Sequence, residues 1–424
     1  MRLRTLNGFD LAGKTVLYRS PYDINVIQKD GELVLVDDSR IKATLPTLKY
    51  LLSQNCKIVI LAYVGRPEAK VDEMLRTIPH AKRLSEILGL PVPQLLDCVG
   101  DDVRNYISTM APASLVMLEN TRFHAGEVED DDSFAQELSK NGEVVVFDGF
   151  PQAHRAHASV TGIMRHLPSV AGYYMEKEVQ GLSGLLDNPM RPFTVIIGGA
   201  KVSDKVAAIQ NLWNLADIFL VGGGVANVFL KARGKEMGKS FIEDVYVDAK
   251  KGEKKDWVEL AGQIQMAPTT SVSYLQFEID EKINVHKVLH PYDLVVADSL
   301  ENPQQYRVSV AYEQKDVVPA EWVALDIGPK AREIFATIIA QSKTVFWNGP
   351  MGKVEDPRFA LGSAAIAKAM EASEAFTVVA GGDTIAVVDQ YADASGFSLL
   401  SLAGGATLEF LSGKKLPAVE LLLA

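Results

Sequence analysis

Residues 194–205 read Thr-Val-Ile-Ile-Gly-Gly-Ala-Lys-Val-Ser-Asp-Lys. A short buried-strand pattern, Thr194–Ile197, runs into two glycines, and a helix carrying two lysines is predicted to follow. Gly198 and Gly199 let backbone N–H groups approach an anion closely, and the start of a helix adds partial positive charge. Lys201 and Lys205 lie four apart, so on a helix they share a face. Two like charges there cost a few tenths of a kcal/mol unless something anionic relieves them. Phosphate is the natural candidate, and a tight turn with solvated lysines is the plainer alternative.

The same alternation recurs on both sides of this stretch. Short β-rich apolar runs fall at Thr15–Tyr18, Ile58–Ala62, Leu115–Leu118 and Val144–Phe147. In the second half they fall at Ile218–Val221, Leu294–Ala297, Thr344–Trp347 and Phe376–Val379. Helical spacing appears between several of them, at Ile41–Leu52, Ile78–Leu88, Ser133–Ser139 and Ala331–Ile339. Strands alternating with helices predict parallel sheets covered by helices. With 424 residues, too many for one ordinary core, the expectation is an α/β chain of two doubly wound parallel-sheet domains joined by a helical hinge. The joint is expected at 173–192, an apparently helical stretch ending in Asn188-Pro189 and Arg191-Pro192, between domains at 1–172 and 193–410. Residues 260–290 carry no clean period, and Asp248–Asp256 is a charge run of the kind that lies on a solvated face.

Composition narrows the function. The chain is 47% hydrophobic and 23% charged, as soluble globular proteins are. A formal net charge of −11 argues against non-specific nucleic-acid binding. Cys56 and Cys98 make neither a disulfide framework nor a metal site and read as buried thiols in a reducing compartment. No apolar run approaches the ~20 residues of a membrane span, and the first residues lack a signal-peptide core. A cytoplasmic protein is the expectation.

In a doubly wound sheet, ligands bind beyond the carboxyl ends of the strands. In the first half every strand end leads to arginine. Arg19, Asp23 and Asn25 follow the first run, and Tyr63-Val-Gly65-Arg66-Pro67 follows the second. Glu119-Asn-Thr-Arg122-Phe-His124 follows the third, and Asp148 then His154-Arg155-Ala-His157 the fourth. Arg40 follows Asp37-Asp38-Ser39, an N-cap cluster, and so sits where a helix dipole is positive; an anionic ligand would resolve that conflict. Guanidinium groups match carboxylate and phosphate oxygens in a bidentate way. Each Arg singly reads as a surface residue; their recurrence points to a small anionic ligand. His124, His154 and His157 are a weak metal pattern and read better as support for the arginines.

In the second half the strand ends carry glycine. Gly222-Gly223-Gly224, Asn348-Gly349-Pro350-Met351-Gly352, Gly381-Gly382-Asp383-Thr384 and Gly404-Gly405 each follow a run. Such loops let backbone approach a flat base or a phosphate chain. Asp383, at a loop-to-helix junction, suits a Mg²⁺-side carboxylate or an ordinary N-cap. Gly234-Lys-Glu-Met-Gly238-Lys239-Ser240 resembles a phosphate-binding loop, but with one residue too few between its glycines, and reads as a surface turn. No Gly-x-Gly-x-x-Gly follows the first strand, which weighs against a nicotinamide dehydrogenase.

These motifs, in this order from about residue 8 to the C-terminus, resemble the phosphoglycerate kinase family. The most specific are Asp38-Ser-Arg40-Ile-Lys, Gly65-Arg66-Pro67, Glu119–His124, Ala153–Ser159, Gly198–Lys205, Trp347–Pro350 and Gly381–Thr384. The resemblance implies reversible phosphoryl transfer between 1,3-bisphosphoglycerate and ADP, with Mg²⁺ accompanying the nucleotide, by a monomer whose domains close on a hinge. It gives Asp23, Asn25, Tyr63, Arg66, Arg122 and Arg155 to phosphoglycerate. Arg40 and Lys201 would stabilise the transferring group. The nucleotide would take Gly199, Lys201, Lys205, Gly223, Gly224, Asn348, Glu355, Gly381, Gly382, Asp383 and Thr384, with Asp383 on the metal. It also implies that the tail at 411–424 returns to the first domain. The sequence departs from the family at Tyr63, where a substrate-contacting His is usual, and at Phe147, Pro151, Gln152, Ala380, Leu402 and Ala403. Alanine where φ must be positive would reshape a loop. Those departures define the alternative of a nucleotide-binding relative with altered substrate or little turnover.

Overall fold

The computed structural model describes residues 1–203, 205–243, 245–247, 254–266, 287–312 and 314–424. The chain divides into two compact units, 1–180 with 415–424, and 181–414. The division falls within the helix Tyr173–Asp187, which stops just before Asn188-Pro189; the residue before a proline is biased away from helical geometry.

The first unit is built on a five-stranded parallel sheet in the order Ser114–Met117, Lys57–Leu61, Thr15–Arg19, Val144–Phe147, Ser169–Ala171. Its strands are short apolar runs because both faces are covered, as parallel sheets require. Tyr18, Ile41, Leu48, Leu51, Ile58, Ile60, Leu84 and Val146 form part of the core on one face. The order reverses beside Thr15–Arg19, so the loops after it and after Val144–Phe147 flank a topological switch point. The helix Ser39–Ser53 has Asp38 at its N-cap, yet the Asp38 carboxylate makes no capping bond. It pairs with Lys42 and Arg83 instead, and Asp37 accepts from the Ser39 N–H at 2.7 Å.

Both ends of the chain meet in this unit. Leu3 and Leu423 form an antiparallel bridge, the Arg4 N–H donates to the Leu422 carbonyl at 2.8 Å, and Ala171 N–H donates to the Arg4 carbonyl at 2.8 Å. Ala418 N–H reaches the Ala153 carbonyl at 3.2 Å. Upstream of the tail, Leu411 stays with the second unit, where its carbonyl accepts from Asn211 Nδ2 at 2.7 Å.

One helix of the first unit carries a titration. His80, on Ile78–Leu88, is fully buried; Nε2 bonds the Ile24 carbonyl at 3.2 Å, and Nδ1 has no partner among the described residues. Burial pushes its pKa down to about 4. The folded state therefore holds fewer protons than the unfolded state between about pH 6.5 and 4, and the neutral ring's contribution is lost as pH falls through that window. His80→Gln, which keeps a donor for Ile24, should lose less melting temperature between pH 6.5 and 4 than the parent, as read by scanning calorimetry. Parallel acid limbs would contradict this.

The second unit holds a six-stranded parallel sheet in the order Val288–Leu289, Ile218–Val221, Phe193–Ile197, Thr344–Asn348, Phe376–Ala380, Leu399–Ser401. Its switch point lies between Phe193–Ile197 and Thr344–Asn348. Trp347, Phe335, Ile338, Val345 and Ile366 are buried in one of its core clusters. The run Leu294–Ala297 does not join this sheet. As Asp293–Ala297 it is the centre of a three-stranded antiparallel sheet with Tyr306–Val310 and Val323–Ile327. Its apolar stretch is covered on both faces, so it carries no alternation that would have marked it as antiparallel.

The remaining expectations fall as follows. In Gly234–Ser240, Glu236–Met237 pairs in parallel with Asp316–Val318, so this is a turn followed by a short buried-edge strand. Lys254–Asp256 pairs antiparallel with Val245–Val247, while residues 248–253 of the charge run lie outside the described residues. Of 260–290, Trp257–Met266 covers the start as a helix, and 267–286 lie outside the described residues. Ala380 ends a strand, and neither it nor Ala403 has positive φ, so these alanines do not strain their loops.

Candidate active site

In the first unit the strand ends bring the arginines together. Asn120 organises the loops. Its Oδ1 accepts from the N–H groups of Val64 and Arg122, both at 3.1 Å, and its Nδ2 donates to the carbonyls of Val64 at 2.8 Å and Leu75 at 2.9 Å. One buried amide thus ties the loop after Lys57–Leu61 to the turn Thr121–Phe123. Arg122 Nη1 donates to the Gly65 carbonyl, Asp23 Oδ1 accepts from the Gly65 N–H at 2.9 Å, and Arg40 Nη1 donates to the Asp23 carbonyl. Asp23, Arg40, Gly65 and Arg122 are therefore one connected set. A cavity of about 390 Å³ is lined by Arg66, Arg122, His124, Arg155 and His157, among others. Arg66 and Asn25 are exposed, Arg155 half-buried, and Arg122 buried.

This set carries excess positive charge. Arg19 is fully buried, with Nε on Ser159 Oγ at 3.1 Å and Nη1 on the Ser20 carbonyl. Burial lowers the pKa of both Arg19 and Arg122; Arg122 depresses Arg19 further, and Arg155 depresses Arg122. Glu127 is the buried counter-charge. It accepts from Ser159 N–H at 2.9 Å and Oγ at 2.6 Å; burial pushes its carboxyl up while Arg19 pulls it down. His157 is held at a pKa of about 4 by burial first and then by Arg122, Arg19 and Arg155. It is neutral near pH 7 and so adds no positive charge to the arginines there. Arg122 Nε and Arg155 Nε are buried donors without a partner among the described residues. Buried donors left unpaired carry a desolvation penalty that an anionic ligand relieves. His124 instead bonds Asp97 Oδ1 at 2.8 Å and stacks on Phe134.

In the second unit, two glycine loops interlock at the switch point. Gly198 N–H donates to the Asn348 carbonyl at 2.9 Å and Gly199 N–H to the Pro350 carbonyl at 2.7 Å. Gly349 has φ of +88°, and a Cβ there would lie 2.3 Å from the Gly198 oxygen. Thr384 Oγ1 accepts from Gly349 N–H at 2.8 Å, and Asn348 Nδ2 donates to the Ala380 carbonyl at 2.7 Å. The turn so fixed opens onto a cavity of about 720 Å³ lined by Gly199, Lys201, Lys205, Asn348, Gly381, Gly382, Asp383 and Thr384 among others. Lys201 is exposed, and Lys205 Nζ donates to the Lys201 carbonyl at 3.3 Å. The helix is shorter than expected, Val206–Leu212, so both lysines precede it. Asp383 is exposed in the first turn of Gly382–Tyr391.

Three nucleotide candidates do not line this cavity. Gly223 and Gly224 lie beneath the turn: Gly223 N–H donates to the Met351 carbonyl at 2.9 Å, and a Cβ on Gly224 would lie 2.4 Å from the Ala200 oxygen. Glu355 is exposed and outside the lining residues. Conversely, Gly404, Gly405, Leu408, Glu409, Ser412 and Lys414 line the cavity and had no sequence signal beyond the glycine pair. Asn120 and Glu127 were likewise missed as organisers of the basic cluster. A Glu inside Gly126-Glu-Val-Glu-Asp130 reads as solvated charge.

The family model for phosphoglycerate kinase matches residues 6–414. The chain belongs to the phosphoglycerate kinase family. It is 40% identical over 423 residues to the phosphoglycerate kinase of Pelotomaculum thermopropionicum, covering 100% of each. Among solved structures it is similar to phosphoglycerate kinase from Coxiella burnetii, with TM-score 0.81 and 32% identity over 99% of this chain and 98% of that one. The enzyme from Pyrococcus horikoshii gives TM-score 0.81 and 31% identity over the same shares. Family membership at this length and identity carries phosphoglycerate kinase activity, a phosphotransferase reaction, and lends nothing to the alternative of a relative with little turnover. Among the described residues no helix is long and apolar enough to cross a membrane.

Proposed function

We propose that the two clusters divide the reaction between them, with 3-phosphoglycerate on the arginines of the first unit and ADP or ATP on the glycine loops of the second. The observation that carries this reading is the cavity shared by Gly199, Lys201, Lys205 and Gly381–Thr384, where a glycine turn, two ammonium groups and a helix start face one space. Lys205 holds nucleotide phosphates, and Lys201 and Arg40 cancel charge on the transferring group. Asp23, Asn25, Arg66, Arg122 and Arg155 hold phosphoglycerate, with Tyr63 buried against Arg122. Gly223 and Gly224 serve the nucleotide through the turn they support, and Glu355 takes the ribose.

Asp383 fits Mg²⁺, which keeps several waters and is usually held by one or two carboxylates plus substrate phosphates. When bound with the nucleotide, the ion neutralises phosphate charge. The protein's own part is positioning. Phosphoryl transfer asks for reactants in line and for charge to be cancelled as it develops. Closure on a hinge brings the bound ends into line and excludes water that would hydrolyse an acyl phosphate. A monomer in the cytoplasm, with neither membrane nor nucleic acid as partner, completes the proposal; the net charge of −11 supports it.

A coupled assay for ATP formation from ADP and 1,3-bisphosphoglycerate tests the reading, and undetectable turnover alongside normal ADP binding would sink it. The division of labour has its own test. Lys205→Ala should weaken ADP about 10-fold in calorimetry, as expected for a lost charge-assisted contact, and leave 3-phosphoglycerate affinity within twofold. Equal losses for both ligands would undo the assignment.

A further inference from the structure

Tyr63 departs from its family at the centre of the basic cluster. It is 1% exposed, and its ring centroid lies 3.6 Å from the Arg122 guanidinium carbon and 4.7 Å from that of Arg19. The His157 ring sits 5.6 Å away, tilted at 53°. At 3.6 Å the Arg122 guanidinium is in stacking contact with the ring face, within the range of cation–π attraction. The phenol stays protonated near pH 7, because burial raises its pKa and outweighs the arginines around it.

Two buried cations, one of which depresses the other, need something between or beside them that is not another cation. A histidine at this position would add a third charge whenever protonated. The tyrosine ring offers a negative π-face to both guanidinium groups and takes no proton. It also bears on orientation. Arg122 is anchored at one end by Nη1 on the Gly65 carbonyl, while its Nε is a buried donor without a partner among the described residues. A planar fork pinned at one nitrogen and stacked on a ring has little freedom left, so its unpaired edge is held ready for an anion.

We infer that Tyr63 is a positioning residue: its aromatic face, not its hydroxyl, holds Arg122 in the plane from which it meets phosphoglycerate. This rests on the proposed place of phosphoglycerate in the first unit. It differs from the role expected by resemblance, in which the residue at this position touches substrate through a polar atom.

The test is a pair of variants, Tyr63→Phe and Tyr63→Leu. Steady-state kinetics and calorimetric titration with 3-phosphoglycerate are run on each folded protein, with melting temperature as a control. Tyr63→Phe keeps the ring and should stay within about threefold of the parent in KM and Kd for 3-phosphoglycerate. Tyr63→Leu should weaken both by about 10- to 30-fold, the equivalent of a desolvated cation–π contact, with KM for ATP unchanged. A merely structural role would lower stability and both substrates' constants together. If Tyr63→Phe is as impaired as Tyr63→Leu, the hydroxyl is the working group and the inference fails. If Tyr63→Leu is unimpaired, it fails too. An inactive parent protein that does not bind 3-phosphoglycerate would instead remove the reading of the site on which the inference stands.

Discussion

Lys201→Ala lowers kcat about 10³-fold while the dissociation constant for ADP stays within about threefold. Arg40→Ala does the same with respect to both substrates. The expectation comes from the place of each cation. Lys201 sits on the turn after Phe193–Ile197, exposed, lining the cavity proposed for the nucleotide, with no ion pair to its ammonium among the described residues. A solvated charge at the edge of a cavity adds little to ground-state binding. Arg40 lies in the first turn of Ser39–Ser53, where the helix is already positive, and its guanidinium is aimed by the Asp23 carbonyl. A cation kept where it is unwelcome acts when negative charge develops near it. Removing one preorganised donor of this kind costs about 10²–10³ in rate, and cationic groups that stabilise a transferring phosphoryl are worth 10³ or more. Rapid-quench or coupled steady-state rates, paired with ADP calorimetry, read both quantities. A variant with parental kcat would exclude that residue from charge cancellation. A fall in ADP affinity matching the fall in kcat would make it a holder instead.

The second large effect is conformational. Gly349→Ala places a methyl 2.3 Å from the Gly198 oxygen and 2.5 Å from its carbon, at a residue whose φ is +88°. Both contacts are backbone, so no side chain can swing aside. Left-handed geometry alone costs an alanine about 1 kcal/mol or more, and forced backbone strain adds 1–3 kcal/mol. Together about 3 kcal/mol would lower the melting temperature of a unit this size by about 6–12 °C. The same movement parts the Gly198 and Gly349 loops and drags Thr384 with them, so ADP should weaken at least 100-fold. Affinity for 3-phosphoglycerate, which depends on the other unit, should hold within twofold. Calorimetry with each ligand and a thermal scan decide it; parental ADP affinity would mean the interlocked loops do not set the nucleotide site.

Much of this was readable before any coordinates. Phe193–Ile197 with its glycines declared strand and turn because parallel strands buried on both faces must be short apolar runs. The arginines at the ends of four of the first unit's parallel strands were legible for the same reason. Asp293–Ala297 was not, since full burial erases the alternation that distinguishes an antiparallel strand. Nor could the sequence say that Lys201 and Lys205 precede their helix, because helix ends are set by packing and capping as much as by spacing. Asn120 and Glu127 escaped because their importance lies in partners distant along the chain: Val64, Leu75 and Ser159. Tyr63 was visible as a departure, but only the stack on Arg122 gives it a use.

The division of the chain has a consequence for how the protein is made. The first unit is interrupted: residues 1–180 belong with 415–424, while 181–414 form the second unit without a break. On a ribosome the second unit therefore has all its parts at hand as soon as Lys414 emerges. The first, although begun earlier, still lacks Leu422, whose carbonyl accepts from the Arg4 N–H, and the buried Val419. Until residues 415–424 are delivered, Leu3 lacks its bridge partner Leu423. The unit translated first is thus the one whose folding is finished last.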